Sequence, residues 1–221
     1  MGKLLNLITD QHLSAKRNYL ERMINDKVKN TELADKYDFE YWDGSRLSGY
    51  GGYKYIDGYW TPFAKKLIEE YDLNNNSKVL EVGCGKGFLL HEIKKLLPEI
   101  IIRGFDHSKY ALERNLDSTK KFVFFHKVQN KFEFSNNEFD LVLGLNVVHN
   151  LEIKDLKNSL QEIERTGKRA YIVVESYTNR QELFNLQCWA TVCNSFFSAN
   201  EWKYLFKEYN YNGDYEFIYF K

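Results

Sequence analysis

The run from Val79 to Gly87, Val-Leu-Glu-Val-Gly-Cys-Gly-Lys-Gly, constrains the fold of this chain more than any other segment. A short apolar stretch leads into three glycines at alternating positions, and an apolar helical segment follows. Glycine adopts positive φ and has no Cβ, so a ligand can approach the backbone closely. The N–H groups that begin the next helix would point at that ligand. The sequence therefore predicts a buried strand, a ligand-binding turn and a helix within an open α/β sheet.

Strand and helix patterns alternate along the rest of the chain. They predict strands at 78–82, 100–105, 122–125, 139–144, 169–175, near 189–193 and near 215–220, and helices at 87–96, 108–116, 153–165, 179–187 and 198–209. Alternation of this kind indicates parallel β-α-β units with right-handed crossovers. The last two strands, with a helix between them, predict an antiparallel edge.

The first 60 residues have a different character. Residues 1 to about 30 show helical spacing of apolar side chains, whereas 40–60 contains five of the 13 glycines mixed with aromatic residues, which predicts a loop. A helix then starts at Pro62, with Thr61 as its cap. We expect 1–60 to form an N-terminal helical cap with a Gly/Tyr-rich active-site loop, and 61–221 to form the core.

Composition excludes several classes of protein. The 31 basic and 31 acidic residues balance, which argues against a nucleic-acid partner. No stretch of about 18 residues is continuously apolar, so no membrane span is expected. The N-terminus is too short and polar for a signal peptide. Cys84, Cys188 and Cys193 lack metal-ligand spacing, so we expect no metal site and a reduced, cytoplasmic compartment.

Two common glycine motifs fail at this turn. A dinucleotide fingerprint needs a glycine where Phe88 stands, and a Walker A loop needs one where Leu80 stands. The form Glu-x-Gly-x-Gly-x-Gly resembles instead the first motif of class I S-adenosylmethionine-dependent methyltransferases. Asp106 follows about 20 residues later, where a carboxylate can bind both ribose hydroxyls. Residues 138–144 are similar to the fourth strand of that family.

The resemblance implies a fold and a set of cofactor residues. The fold would be a Rossmann-like, doubly wound, mostly parallel seven-stranded sheet with an antiparallel last strand and the N-terminal helical cap. S-adenosylmethionine would be the cofactor and S-adenosylhomocysteine the product. Many members carry an aspartate after the third strand that meets adenine, and here Gln129 or Asn130 would replace it. The implied cofactor residues are Glu81, Gly83, Gly85, Gly87, Asp106, His107, Gln129, Asn130 and Asn146.

The segment 43–60 resembles the N-terminal Gly-Tyr-Gly-Gly-Tyr-x-Tyr signature of a bacterial group within that family, often encoded with surface polysaccharide genes. It departs from the signature by an inserted Ile56 and by Tyr59 where arginine is common. Tyrosine faces attract a sulfonium charge, although the same cluster could simply dock the N-terminal helix. We expect a mixed role, with substrate contacts from Tyr50, Tyr53, Tyr55, Asp57 and Trp60.

Polar residues also follow the fourth and fifth strands, where ligands bind in open α/β sheets. His149 is the candidate general base, since its usual pKa suits proton removal near pH 7, although a lone histidine is often structural. Asn150, Glu175 and Tyr177 are candidate substrate contacts, and Glu175 could instead support His149.

The sequence predicts methyl transfer to a small soluble acceptor. The resemblance implies a hydroxyl of a sugar, sugar nucleotide or phosphorylated precursor in capsular polysaccharide biosynthesis. Methylation of a small amine or of a phosphate-type oxygen are alternatives, as is a protein or RNA methyltransferase. The other expectations are a small-molecule substrate, no nucleic acid, no membrane, and a monomer or homodimer.

Overall fold

The computed structural model describes residues 2–221 and is built on one six-stranded sheet with strand order β3-β2-β1-β4-β5-β6. The strands are β1 (Lys78–Val82), β2 (Ile101–Asp106), β3 (Val123–Phe125), β4 (Leu141–Leu145), β5 (Ala170–Glu175) and β6 (Asp214–Ile218). Every neighbouring pair runs parallel. The carboxyl ends of all six strands therefore meet at the same edge of the sheet.

Helices cover both faces of the sheet. They are α1 (Thr9–Leu13), α2 (Tyr19–Ile24), α3 (Lys27–Ala34), α4 (Phe39–Trp42), α5 (Thr61–Glu70), α6 (Phe88–Leu96), α7 (Lys109–Glu113), α8 (Asp117–Lys120), α9 (Ile153–Thr166), α10 (Arg180–Trp189) and α11 (Ala199–Glu208). Buried side chains of α5, α6 and α10 pack in one hydrophobic cluster, and those of α9 and α11 in another. Because the central strands β1, β4 and β5 contribute to both clusters, they are almost continuously apolar.

The predicted seventh strand and antiparallel edge are wrong. Residues 190–198 contain no strand, and two backbone N–H groups there, of Asn194 and Ser195, donate to the carbonyl of His149 at 3.0 and 2.9 Å. Helix α11 then carries the chain back across the sheet, so β6 enters parallel to β5. A sequence pattern marks a strand but not its direction, which depends on the connection before it.

Residues 1 to about 30, whose apolar spacing predicts helix, are helical only in part within the described residues. Leu4 forms a parallel bridge to Tyr215 on the outer edge of β6. The carboxylate of Glu216, which is 1% exposed, accepts the backbone N–H groups of Leu7, Ile8 and Thr9 at 2.6 to 3.0 Å. These N–H groups donate to Glu216 instead of to carbonyls of a helix. The helices α1, α2 and α3 that follow are short.

Within residues 2–221, no helix is both long and apolar enough to cross a membrane.

Candidate functional site

The glycine turn follows β1 at the carboxyl edge of the sheet. Gly83, Gly85 and Gly87 have φ of +68°, +52° and +69°, a region that L side chains rarely adopt. A Cβ on Gly85 would lie 2.8 Å from the indole of Trp42. The turn therefore requires glycine both for its backbone conformation and for the close contact above it.

Two buried carboxyl groups lie beside this turn. Asp106, at the end of β2, accepts the N–H of Gly85 and the N–H of Ser108, both at 2.8 Å. Glu81 is 5% exposed, and its Oε2 has no hydrogen-bond partner. Burial raises the pKa of Asp106, and burial together with the charge of Asp106 raises the pKa of Glu81 well above its usual range. The turn thus contains a buried acceptor oxygen that the protein itself leaves unused.

The Gly/Tyr-rich loop closes over the turn. The Trp42 Nε1 donates to the Ser108 hydroxyl at 2.9 Å, and its ring stacks on Tyr50 with centroids 5.4 Å apart. Lys86, which lies between two of the turn glycines, donates to both carboxylate oxygens of Asp43 at 2.7 Å. An aromatic contact and a largely buried ion pair therefore hold the loop on the glycine turn.

A cavity of about 420 Å³ opens next to this loop, at the ends of β4 and β5. Residues of the N-terminal segment, the Gly/Tyr-rich loop and the strand ends form its walls. The predicted site residues that line it are Tyr50, Tyr53, Trp60, Asn146, His149, Asn150 and Glu175. The side-chain oxygens of Asn146 and Asn150 are buried and have no hydrogen-bond partner. The cavity wall thus carries two unused acceptors, both in the segment that follows β4.

His149 and Glu175 form a pair within this wall. The His149 Nδ1 accepts the backbone N–H of Glu175 at 3.2 Å, so the ring proton of neutral His149 lies on Nε2, which is 3.6 Å from the Glu175 carboxylate. Burial lowers the pKa of His149 to about 3. Burial also raises the pKa of Glu175 to about 7, against the opposing charges of nearby Arg17 and Arg22. Near neutral pH, the group in this pair that can gain or lose a proton is therefore Glu175.

Other predicted site residues lie outside the cavity. The hydroxyl of Tyr55 donates to Asp57 at 3.0 Å and also to Glu92 of α6, and Asp57 pairs with Lys95 of α6 at 2.7 Å. Tyr177 follows the end of β5 and forms an isolated parallel bridge to Ser198.

Among the residues predicted to bind the cofactor, Gln129 and Asn130 lie in the loop after β3, and the His107 ring packs against the Tyr37 ring in a T-shaped pair with centroids 4.2 Å apart. None of these residues lines the cavity, and neither do the turn glycines or Asp106. Trp42 separates the glycine turn from the cavity by lying directly on Gly85. The structure thus brings together His149, five of the eight residues predicted to contact substrate, and Asn146 from the predicted cofactor set, but leaves the glycine turn covered.

Sequence reasoning missed several residues around the cavity. Arg17, Arg22 and Arg46 line it together with Trp189, and Trp42 and Lys86 fix the loop beside it. Because Arg46 belongs to the Gly/Tyr-rich signature segment, the sequence could have indicated it as a site residue. Arg17 and Arg22 come from a segment whose pattern predicts only helix. Across residues 2–221, no cluster of three His, Cys, Asp or Glu side chains could hold a metal ion.

Solved structures with this fold include two Bacillus proteins. YcgJ of Bacillus subtilis is 17% identical, covers 66% of both chains and has a TM-score of 0.52. BH2331 of Bacillus halodurans, described as a candidate methyltransferase, is 16% identical, covers 66% of this chain and 67% of its own, and has a TM-score of 0.53. At these identities, the similarity shows the fold alone.

Sequence comparison adds the family. YrhH of Bacillus subtilis, described as a candidate methyltransferase, is 26% identical over 152 residues, which are 61% of this chain and 83% of that protein. The ribosomal RNA small subunit methyltransferase C of Buchnera aphidicola is 31% identical over 134 residues. That match covers 57% of this chain but only 36% of the Buchnera enzyme. A family described as "Methyltransferase domain" matches residues 73–211, more than half of the chain. On that match, the chain belongs to this methyltransferase family.

Proposed function

We propose that the protein transfers a methyl group from S-adenosylmethionine to a small acceptor held in the cavity of about 420 Å³. The observation that carries this proposal is the composition of the cavity wall. Asn146 at the end of β4 and Glu175 at the end of β5 face the same space as Tyr50 and Tyr53 of the Gly/Tyr-rich loop. In open α/β sheets, ligands bind beyond the carboxyl ends of the strands, and the fold family generally depends on this cofactor.

The residues at the turn fit such a cofactor. The Cβ-free turn permits close approach, and the unpartnered oxygens of Glu81 and Asn146 offer acceptors for an ammonium group or hydroxyls. Asp106 would bind the ribose, and Gln129 or Asn130 would lie toward the adenine, as the resemblance implies. Bound there, the cofactor supplies an electrophilic methyl group on a sulfonium. Because Trp42 covers Gly85, we expect the Gly/Tyr-rich loop to move when the cofactor enters.

We propose that Glu175 is the proton acceptor and that His149 positions it. With a pKa of about 7, Glu175 can take the proton of an acceptor hydroxyl as the methyl group is transferred. The Nε2–H of His149 faces that carboxylate, while its Nδ1 is held by a backbone N–H. This division of roles differs from the prediction that His149 itself is the base. An amine acceptor would use the same residue, whereas a phosphate-type oxygen would need no base.

The acceptor class rests on the size and enclosure of the cavity. Residues from the N-terminal segment, including Gln11 and His12, close one side of it, which favours a small molecule over a protein or RNA strand. The balanced charge of the chain also disfavours RNA. We propose a sugar, sugar nucleotide or phosphorylated glycan precursor as the acceptor. A cytoplasmic location and a monomer or homodimer complete the proposal.

Calorimetric titration of S-adenosylmethionine and S-adenosylhomocysteine into the full chain tests the function. The informative variant is Asp106→Asn, which keeps the side-chain shape but removes the charge. Asp140→Asn is a matched control, because Asp140 also accepts a backbone N–H at 2.8 Å but lies at the opposite edge of the sheet. We expect saturable binding in the native chain and the control, and at least a tenfold weaker affinity in Asp106→Asn. No binding by the folded native chain would refute the proposal.

A further inference from the structure

We propose that one wall of the cavity is a subsite for a phosphate group carried by the acceptor, formed by Arg17 and Arg46 around the ring of Trp189. The assignment to the acceptor rests on the proposed methyl transfer, whereas the binding of phosphate to this wall does not. We call Arg17, Arg22, Arg46 and Trp189 the arginine cluster.

Three guanidinium groups converge on one aromatic ring in this cluster. Their central carbons lie 3.9 Å (Arg22), 4.8 Å (Arg46) and 5.4 Å (Arg17) from the centroid of Trp189. A Trp face attracts cations and holds their planar groups in place. The cluster lines the cavity and also an adjoining pocket of about 700 Å³. It therefore forms a wall that the two cavities share.

Within residues 2–221, the arginine cluster forms no ion pair. Among the described residues, no carboxylate lies within ion-pair distance of any of the three arginines. Burial, and then the charge of Arg46, lower the pKa of Arg22 to about 10. Glu175 is the carboxyl group whose charge opposes this effect most. Like charges crowded in a partly buried wall are unfavourable, so an anion bound among them would relieve the repulsion.

The three arginines differ in how many of their N–H groups already donate to other parts of the protein. Arg22 is 5% exposed and donates to the backbone carbonyls of Arg46, Gly49 and Trp189, which leaves it a structural role. Arg46 makes its hydrogen bonds through Nη1 alone, so its Nε and Nη2 are free. Arg17 donates through Nη1 to the carbonyl of Ala15 at 3.2 Å and through Nη2 to the carbonyl of His12 at 2.9 Å, so only its buried Nε has no hydrogen-bond partner. The available donors thus belong to Arg17 and Arg46.

A phosphate suits these donors better than other anions do. Guanidinium forks match phosphate oxygens in a bidentate arrangement. Arg17 and Arg22 lie near one carboxyl group, Glu175, and Arg46 adds a third positive charge to the same wall, whereas a phosphate monoester carries about two negative charges. A carboxylate, such as that of the methionine part of the cofactor, carries only one. The geometry therefore points to a phosphorylated acceptor.

Titration of inorganic phosphate, and of pyrophosphate, into the full chain tests this subsite by calorimetry at low ionic strength. The variants are Arg17→Gln and Arg46→Gln, with Arg180→Gln as a matched control, since Arg180 is exposed at the start of α10, away from the cavity. Two separate variants guard against one failing to fold, which circular dichroism would reveal. We expect saturable binding that weakens about tenfold in each cavity variant, stays unchanged in Arg180→Gln and falls with added salt.

The same samples are titrated with S-adenosylhomocysteine, which separates the two proposals. Phosphate binding without S-adenosylhomocysteine binding would support the subsite and refute the methyl-transfer function. Absence of phosphate binding, or equal binding by the native chain and both cavity variants, would overturn the subsite. A loss of S-adenosylhomocysteine affinity with phosphate affinity unchanged would also overturn it, because the arginines would then hold the cofactor carboxylate.

Discussion

Replacement of Glu175 by glutamine should stabilise the protein more strongly as the pH rises. The pKa of Glu175 is about 7 in the folded chain and 4.5 when unperturbed, so the folded state binds this proton more tightly. The contribution of this bound proton to the free energy of unfolding is complete below pH 4.5 and is lost as the pH rises through 7. One pKa unit corresponds to about 1.4 kcal/mol, so ionisation of Glu175 lowers the free energy of unfolding of the native chain by about 3 kcal/mol in total. About 2.5 kcal/mol of this loss, which the glutamine variant avoids, develops between pH 5 and pH 8.

Chemical denaturation followed by circular dichroism, at constant ionic strength, measures this penalty without knowledge of the acceptor. The quantity of interest is the free energy of unfolding of Glu175→Gln minus that of the native chain, at each pH. Glu208→Gln, on the exposed side of α11, is the control and should give a flat difference. A Glu175→Gln difference that stays constant or shrinks between pH 5 and pH 8 would show that the carboxyl has no raised pKa, and would remove it as the proton acceptor.

Three further substitutions test how the N-terminal segment and the loop are held. In Glu216→Gln, an NH₂ donor replaces one of the carboxylate oxygens that accept backbone N–H groups. The free energy of unfolding should fall by about 3 kcal/mol in denaturant titrations. Lys86→Met should cost about 2 kcal/mol by the same measurement and increase the proteolysis of the Gly/Tyr-rich loop, because the ion pair that holds it is lost. Gly85→Ala should lower the melting temperature more than Gly58→Ala. Both have positive φ, but only the first would collide with Trp42; equal losses would contradict that contact.

The layout of the core follows from sequence for a local reason. Each of the strands β1, β2, β4 and β5 is a short apolar run next to a helical pattern, and such runs lie parallel when helices connect them. The glycine turn is similarly local, since positive φ at Gly83, Gly85 and Gly87 follows from their lack of a side chain. Interactions close in sequence therefore account for the correct part of the fold.

The errors concern pairing between distant segments. The edge of β6 is covered by residues 3–5, and Glu216 binds the backbone near Thr9, more than 200 positions away in the chain. No periodicity within either segment encodes that pairing. The same is true of the direction of β6, which is decided by the path of α11 across the sheet.

The sequence by itself determined a parallel α/β sheet, a glycine turn after β1 and polar residues at the ends of β4 and β5, because backbone geometry and apolar spacing act over a few residues. Only the tertiary structure decided which of those residues share a space. In the folded chain, His149 lies beside Glu175 and Trp42 lies on Gly85. The ring of Trp189 is contacted by three guanidinium groups, those of Arg17, Arg22 and Arg46. Burial and charge at such meeting points set pKa values and affinities, and both depend on groups that come together only when the whole chain has folded.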